Sequence, residues 1–149
     1  MVDAFPSYHS EAVLVTDLCL TLQSQNTPWK CVSIAREFFY VRGRTDVIAL
    51  DANGNIIAFE AKLHDWRTAL QQAFKNTSFA NISYVVLPQD VALRAFQYSY
   101  DFHRYSVGLC AILNSGINIL IEAPFQEPLQ PWLSSLAVEE IEEDLESRF

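Results

Sequence analysis

The sequence is poor in cysteine and lacks long apolar runs, and each absence excludes a class of protein. Three cysteines in 149 residues, odd in number and scattered, predict neither a disulfide framework nor a cysteine-based metal site. No apolar run approaches the ~18–20 residues that cross a membrane, and the first residues lack the basic segment and apolar run of a signal peptide. We therefore expect a cytoplasmic protein without membrane contact, with Cys19, Cys31 and Cys110 as reduced core residues.

Glycine is also scarce, and familiar catalytic patterns are missing. The four glycines form no phosphate-binding loop, and no serine, histidine and aspartate occur in a recognisable hydrolase context. The three histidines show no metal-ligand spacing. These absences argue against P-loop nucleotide hydrolases and triad hydrolases.

Positive charge is in the minority, with 10 basic against 18 acidic residues and a net charge of −8. This balance argues against strong non-specific binding to nucleic acid. The acidic residues are concentrated in the tail from Val138 onward, which could repel a nucleic-acid backbone. Six basic residues lie in one central segment: Arg36, Arg42, Arg44, Lys62, Arg67 and Lys75.

Half of the residues are hydrophobic and 13% are aromatic, which is enough for one globular domain with a sizeable core. Apolar periodicity and turn residues predict the order α-β-β-β-α-β-α-β-β-α. The predicted helices cover residues 11–25, 65–76, 89–100 and the acidic tail, and the predicted strands cover residues 29–40, 44–51, 56–62, 82–87, 107–113 and 117–122.

This order predicts an α/β protein with helices on both faces of a mixed sheet. Residues 1–123 would form the domain, followed in residues 124–149 by a proline-containing loop and an acidic helix. The apolar residues of that helix recur every four positions, at Leu133, Ala137, Ile141 and Leu145. Its apolar face should therefore pack on the same domain, on a partner protein or on a second copy of the chain.

Two opposite charges, Glu60 and Lys62, follow an apolar run in the third predicted strand. A two-residue NG turn before this strand would place Asp46 opposite Ala61, with its carboxylate directed away from both charges. A three-residue ANG loop, with Gly54 in the left-handed position, would place Asp46 opposite Glu60, ~5 Å apart at Cβ, with Lys62 as its diagonal neighbour. We favour the three-residue loop, because only it builds a cluster of two carboxylates and an amine.

Two adjacent carboxylates within a sheet are costly unless a positive charge lies between them. Mg²⁺, or Mn²⁺ in its place, would supply that charge and complete its shell with waters and substrate phosphate oxygens. Lys62 would then orient the attacking water or stabilise charge that develops on phosphate. The alternative is a structural cross-strand ion pair at the end of the strand, with Lys62 extended towards solvent.

The pattern Thr45-Asp46, then 13 residues, then Glu60-Ala61-Lys62 resembles the motif of the PD-(D/E)xK nuclease superfamily, with threonine in place of the proline. The resemblance covers about residues 10–87. It implies the restriction-endonuclease-like fold. This fold has three layers, αβα, with a mixed sheet as the central layer, and its core elements follow the order αβββαβ. It also implies that Asp46, Glu60 and the Ala61 carbonyl bind the metal and that Lys62 is catalytic.

Two further positions are similar to accessory residues of that superfamily. Many members carry a glutamate on the first helix and a glutamine on the helix after the lysine. Glu11 is the candidate glutamate, and Gln72 is preferred to Gln71 as the glutamine. Each could instead be an ordinary helix-surface residue; an acid in the first turn, such as Glu11, is favoured by the helix dipole.

The sequence therefore predicts a magnesium-dependent endo- or exonuclease whose partner is nucleic acid, with DNA preferred to RNA. The alternative is a non-catalytic protein that keeps the nuclease fold and acts as a protein-interaction or regulatory subunit. The net acidity, the small size and the lack of a dedicated DNA-binding segment motivate this alternative. The joint presence of Asp46, Glu60 and Lys62 argues against it.

Overall fold

The computed structural model describes residues 8–24, 27–114 and 116–146, with side chains described as far as Glu143. The helices within these residues are α1 (Glu11–Gln23), α2 (Trp66–Asn76), α3 (Gln89–Ala95), α4 (Ser99–Arg104) and α5 (Pro131–Glu146). The strands are β1 (Cys31–Tyr40), β2 (Gly43–Asp51), β3 (Ile56–Ala61), β4 (Ile82–Pro88), β5 (Gly108–Leu113) and β6 (Gly116–Ile121). A 3₁₀ turn, Phe96–Tyr98, joins α3 to α4.

The strands form one six-stranded sheet in the order β1-β2-β3-β4-β5-β6. The pairs β1–β2, β2–β3 and β5–β6 are antiparallel, whereas β3–β4 and β4–β5 are parallel. Parallel neighbours need a long crossover, and α2 and the α3–α4 segment supply the two that this sheet requires. The predicted α/β class with a mixed sheet is confirmed.

Helices cover both faces of the sheet. On one face, α1 buries Leu14, Leu18 and Leu22 against a core that includes Ile57 and Phe59 of β3. On the other face, α2, α3 and α5 pack over two adjoining clusters. Since β3 is covered on both sides, all six of its residues are buried, which explains its almost continuous apolar sequence.

The start of each of the first two helices follows from a capping side chain. The Ser10 hydroxyl accepts a hydrogen bond from the Val13 N–H at the start of α1, and the Asp65 carboxylate accepts one from the Thr68 N–H at the start of α2. Both starts agree with the predicted ones. Because β3 ends at Ala61 and α2 begins at Trp66, only four residues separate the strand from the helix.

One prediction about the helices is wrong: residues 89–100 do not form a single helix. The chain leaves the α-helix at Phe96, passes through the 3₁₀ turn and resumes as α4, which continues to Arg104. Tyr98, just before the start of α4, and Phe102, within it, both contact Trp66. Their ring centroids lie 5.1 and 5.7 Å from that of Trp66. This aromatic packing is a tertiary interaction, which helical periodicity alone does not encode.

The acidic tail is helical, and its apolar stripe packs on the same chain. Leu133, Ala137 and Ile141 are buried with Phe38 of β1 and Ile48 of β2. Leu145, the fourth predicted member of the stripe, lies outside the described side chains. The acidic residues Glu139, Glu142 and Glu143 are exposed on the other side of the helix.

Cys19 and Cys110 are buried and Cys31 is half-buried. Among the described helices, none combines the length and the apolar character that crossing a membrane would require.

The packing of α5 predicts unequal effects for two leucines of that helix. Leu133 is 1% exposed and Leu136 is 45% exposed. Leu133→Ala should lower the free energy of unfolding by about 2–4 kcal/mol, because it leaves a cavity in the core. Leu136→Ala should cost less than ~1 kcal/mol. Urea denaturation of both variants measures the difference, and equal losses would contradict this placement of α5.

Candidate active site

The β2–β3 register follows the three-residue ANG loop. Val47 pairs with Phe59 and Leu50 with Ile56, and the Asp51 N–H donates to the Asn55 carbonyl at 3.0 Å. Gly54 has φ of 82°, which is the left-handed conformation expected for the last loop residue. The predicted register is confirmed.

The ladder between these strands opens one step beyond the last pair, Val47 and Phe59. In this register the next hydrogen-bonded pair would be Thr45 with Ala61. The Ala61 N–H instead donates to Oδ2 of Asp46 at 2.9 Å, and the Lys62 N–H donates to the Val86 carbonyl of β4 at 3.2 Å. An aspartate side chain therefore replaces a ladder bond between β2 and β3.

Side-chain alternation along β2 reverses at the same point. Val47 packs in the α1-side core and Ile48 in the opposite core, so strict alternation would direct Asp46 to the same side as Ile48. Asp46 instead lines a cavity beside α1, while the Thr45 hydroxyl reaches α2 on the other face. Across from this point on β1, Glu37 has φ of 58°, which is uncommon for a residue other than glycine.

The reversal changes how the two carboxylates meet. Glu60 points to the α2 side of the sheet, where it contacts Asn76, and Asp46 opens to the α1 side. The expectation that both project from one face is therefore wrong. Their carboxyl groups still interact directly at the open end of the ladder, where the charge of Asp46 acts on the pKa of Glu60.

Glu60 is the most deeply buried acid of this cluster, with 3% of its surface exposed. Burial and, second, the charge of Asp46 raise the pKa of Glu60 to about 9, although the hydrogen bond from Asn76 acts in the opposite direction. Among the described residues, no lysine or arginine forms an ion pair with Glu60. Glu60 is therefore a buried carboxyl group that is kept neutral by its own proton and not by a basic side chain.

Asn76, near the end of α2, orients Glu60 and was not predicted. Its Nδ2 donates to Oε1 of Glu60 at 3.0 Å. Its Oδ1 accepts hydrogen bonds from the hydroxyls of Tyr40 and Thr45, both at 2.7 Å. The side-chain amide therefore cannot flip by 180° without losing these bonds. Burial and the charge of Glu60 raise the pKa of Tyr40 to about 12, so its hydroxyl keeps the proton that it donates.

Gln72, the preferred candidate glutamine, lies in the same network, whereas Gln71 is exposed. The Gln72 Nε2 donates to the Arg44 carbonyl at 2.8 Å and lies 3.5 Å from Oδ1 of Asn76. This hydrogen bond connects the start of β2 to α2. Asn76 follows Gln72 by four residues, so both lie on one face of α2. This spacing could have identified Asn76 as a site residue from the sequence.

Lys62 and Glu11 meet at the other side of the site. Nζ of Lys62 lies 3.3 Å from Oε1 of Glu11, in the first turn of α1. Both side chains are substantially exposed, at 35% and 46%, so the pair is screened by water and holds Lys62 only weakly. The structure therefore brings the predicted accessory glutamate to the predicted catalytic lysine.

A cavity of about 190 Å³ opens beside Asp46 and Ala61. It is lined on the α1 side by Glu11, Ala12 and Val15 and on the sheet side by Arg36, Glu37 and Arg44. The guanidinium of Arg44 lies 3.4 Å from Oδ1 of Asp46 and 3.7 Å from Oε1 of Glu37. Because Arg44 is half-exposed, it can leave Asp46 without losing a buried contact.

The donor set suits a hard cation with few protein ligands. Within the described residues, no three histidine, cysteine or acidic side chains are grouped to hold a metal ion. The direct Asp46–Glu60 contact leaves two carboxylates, a number that fits Mg²⁺ or Mn²⁺ with waters and phosphate oxygens in the remaining positions. It does not fit a closed four-ligand zinc site.

Comparisons with known proteins bear on the fold alone. No family model and no curated protein matches this chain. A protein of unknown function from Silicibacter pomeroyi has a similar structure, with a TM-score of 0.58 and 16% identity over 77% of this chain and 75% of that one. A repair endonuclease from Pyrococcus abyssi matches with a TM-score of 0.45 and 18% identity, over 76% of this chain and 50% of that one. The first likeness shows a shared fold, and the second is too distant to carry an argument about activity.

The buried carboxyl of Glu60 predicts an unusual pH dependence of stability in metal-free protein. The folded state keeps a proton that the unfolded state loses above about pH 4.5, so stability should fall as the pH rises towards 9. Glu60→Gln removes this loss. The variant should exceed the wild type by up to about 5 kcal/mol at pH 8 and by much less at pH 4.5, as measured by urea denaturation in chelator.

Glu142→Gln, on the exposed side of α5, is the matched control for loss of one negative charge. It should leave stability within ~0.5 kcal/mol of the wild type at both pH values. A Glu60→Gln effect that is the same at both pH values would contradict the raised pKa.

Proposed function

We propose that this protein is a metal-dependent nuclease that hydrolyses phosphodiester bonds, with DNA as its substrate. The observation that supports it is the interaction between the Asp46 and Glu60 carboxyl groups at the open end of the β2–β3 ladder, where Asp46 also lines a cavity. The resemblance to the PD-(D/E)xK superfamily falls on these same positions, and Lys62 follows Glu60 by two residues. In this proposal the fold is the restriction-endonuclease-like one.

The carboxylates of Asp46 and Glu60 would hold Mg²⁺ or Mn²⁺, with the Ala61 carbonyl as a further ligand. Bound there, the cation would lower the pKa of a water and withdraw charge from the phosphate. Metal binding must displace the proton of Glu60, whose pKa lies at about 9. Affinity for the cation should therefore rise with pH. Asn76, which donates to Oε1 of Glu60, would hold this carboxylate in position for the cation.

Lys62 would act on the substrate through its ammonium group, by orienting the attacking water or by stabilising negative charge on the phosphate. Glu11 would position it through the 3.3 Å ion pair. Since that pair is exposed, Lys62 can exchange Glu11 for a phosphate oxygen at little cost. Gln72 acts through the backbone of Arg44 and is therefore a positioning residue.

Substitution of the lysine tests this assignment. Lys62→Ala should lower the rate of metal-dependent cleavage by about 100-fold or more, because charge on the phosphate is no longer stabilised. Its affinity for Mn²⁺, measured by calorimetry, should stay near that of the wild type. Asp46→Asn should lose both cleavage and Mn²⁺ binding.

The substrates are single-stranded, duplex and branched DNA, and RNA of the same sequence. Lys75→Ala, which removes another of the three lysines, is the control and should keep most of the activity. Absence of metal-dependent cleavage on every substrate, or equal cleavage by the wild type and Lys62→Ala, would refute the nuclease assignment.

A second candidate function is a non-catalytic protein that keeps this fold to bind a partner protein. The observation in its favour is Arg44, whose guanidinium already lies against Asp46, where a cation would bind. In that case Mn²⁺ would not bind to the wild type, and Arg44→Ala would be needed before binding could be measured. Binding to the wild type with an affinity equal to that of Arg44→Ala would exclude this explanation.

A further inference from the structure

The tip of the β1–β2 hairpin exposes two large apolar side chains next to the candidate site. Phe39 is 68% exposed and Val41 is 87% exposed. Phe38 and Tyr40, their neighbours in sequence, lie on the opposite face of the hairpin. Their rings stack with centroids 5.6 Å apart, and both pack edge-on against Phe79. The hairpin is therefore anchored by one face and presents Phe39 on the other.

This exposed face is continuous with the cavity at Asp46. Phe39 is the cross-strand partner of Arg44, which itself lines the cavity and contacts Asp46. Asp46 lies two residues beyond Arg44 on β2, a distance of ~7 Å along the strand. That is about the rise of two stacked nucleotides.

The tip of the hairpin, residues 36–44, has a charge opposite to that of the chain as a whole. Between Arg36 and Arg44 the sequence has three arginines against one acid, Glu37, whereas the net charge of the protein is −8. Arg36, Arg42 and Arg44 are all exposed. An exposed aromatic ring between arginines suits a nucleic-acid strand, because the ring can stack on a base and the guanidinium groups can contact the flanking phosphates.

Hydrogen bonds connect the hairpin to the carboxylates of the candidate site. Tyr40 donates to Asn76, which in turn donates to Glu60, and Gln72 fastens the backbone at Arg44. A base held on Phe39 would thus fix the strand at a constant distance from Asp46. A protein partner is a poorer fit, because two apolar side chains fall well short of the ~800 Å² that each side of a stable interface buries.

We propose that Phe39 is a stacking platform for an unpaired base of single-stranded DNA, with Arg42 and Arg44 on the adjacent phosphates. The proposal rests on the nuclease function proposed for the same site. Bases inside a duplex are stacked on both faces and cannot offer one to Phe39, so the platform selects single-stranded segments. Val41 widens the apolar surface beside the ring.

The test measures binding in chelator, so that it does not depend on cleavage. A short fluorescent oligothymidine and a duplex of the same length are titrated with the wild type, Phe39→Ala, Phe39→Tyr and Phe39→Leu. Phe39→Ala and Phe39→Leu should weaken single-strand binding by about 5-fold or more, the lower end of the effect of losing one stacked base. Phe39→Tyr should bind like the wild type, and duplex affinity should change less than ~2-fold in every variant.

Phe125→Ala is the matched control, because Phe125 is 56% exposed and lies outside the hairpin; it should bind like the wild type. A 2-aminopurine base in the oligonucleotide gives direct evidence, since its fluorescence should be quenched by the wild type and Phe39→Tyr but not by Phe39→Ala. Equal weakening of single-strand and duplex binding, full retention by Phe39→Leu, or no single-strand binding by the wild type would overturn the platform. A Phe39→Ala variant that changes only the oligomeric state would do the same.

These results are separable from those that test the nuclease. Single-strand binding that depends on Phe39, in a protein that cleaves nothing, would leave the platform standing and refute the catalytic assignment. Cleavage that depends on Lys62 and is unaffected by Phe39→Ala would support the catalytic assignment and refute the platform.

Discussion

The site depends on the contact between two carboxyl groups, Asp46 and Glu60, in a sheet that offers them little water. Both would be costly there if they were left alone. The neighbouring groups reduce that cost, since the Ala61 N–H donates to Asp46 and Asn76 donates to Glu60. Glu60 avoids a buried charge by keeping its proton, which is why burial and the charge of Asp46 raise its pKa.

The rest of the fold holds this contact in place. The core on both faces of β3 fixes the position of Glu60, and α2 supplies Asn76 and Gln72 from one helical face. The start of α1 brings Glu11 to Lys62, which lies just beyond the end of β3. These elements converge where the β2–β3 ladder opens, so this end of the strand pair is both irregular and rich in polar contacts.

Much of the fold and part of the site were predictable because the signals involved are local. Gly54 allows a three-residue loop with a left-handed last residue, and that loop determines which residues of β2 and β3 lie opposite each other. The helix starts at Ser10 and Asp65 follow from capping, for the same local reason. The break at Phe96 was not predictable, because it goes with the packing of Tyr98 and Phe102 on Trp66, far away in sequence.

The sequence by itself determined the class of fold and the residues that could form a cluster of acids and an amine, and it reduced the register of β2 against β3 to two alternatives. Only the tertiary structure decided that alternation reverses at Asp46, that Asn76 orients Glu60, and that Arg44, the cross-strand partner of Phe39, lines the cavity. Register depends on the length and backbone conformation of one short loop, which neighbouring residues specify. The direction of a side chain at an irregular strand depends on contacts from elements distant in sequence, and those exist only once the chain has folded.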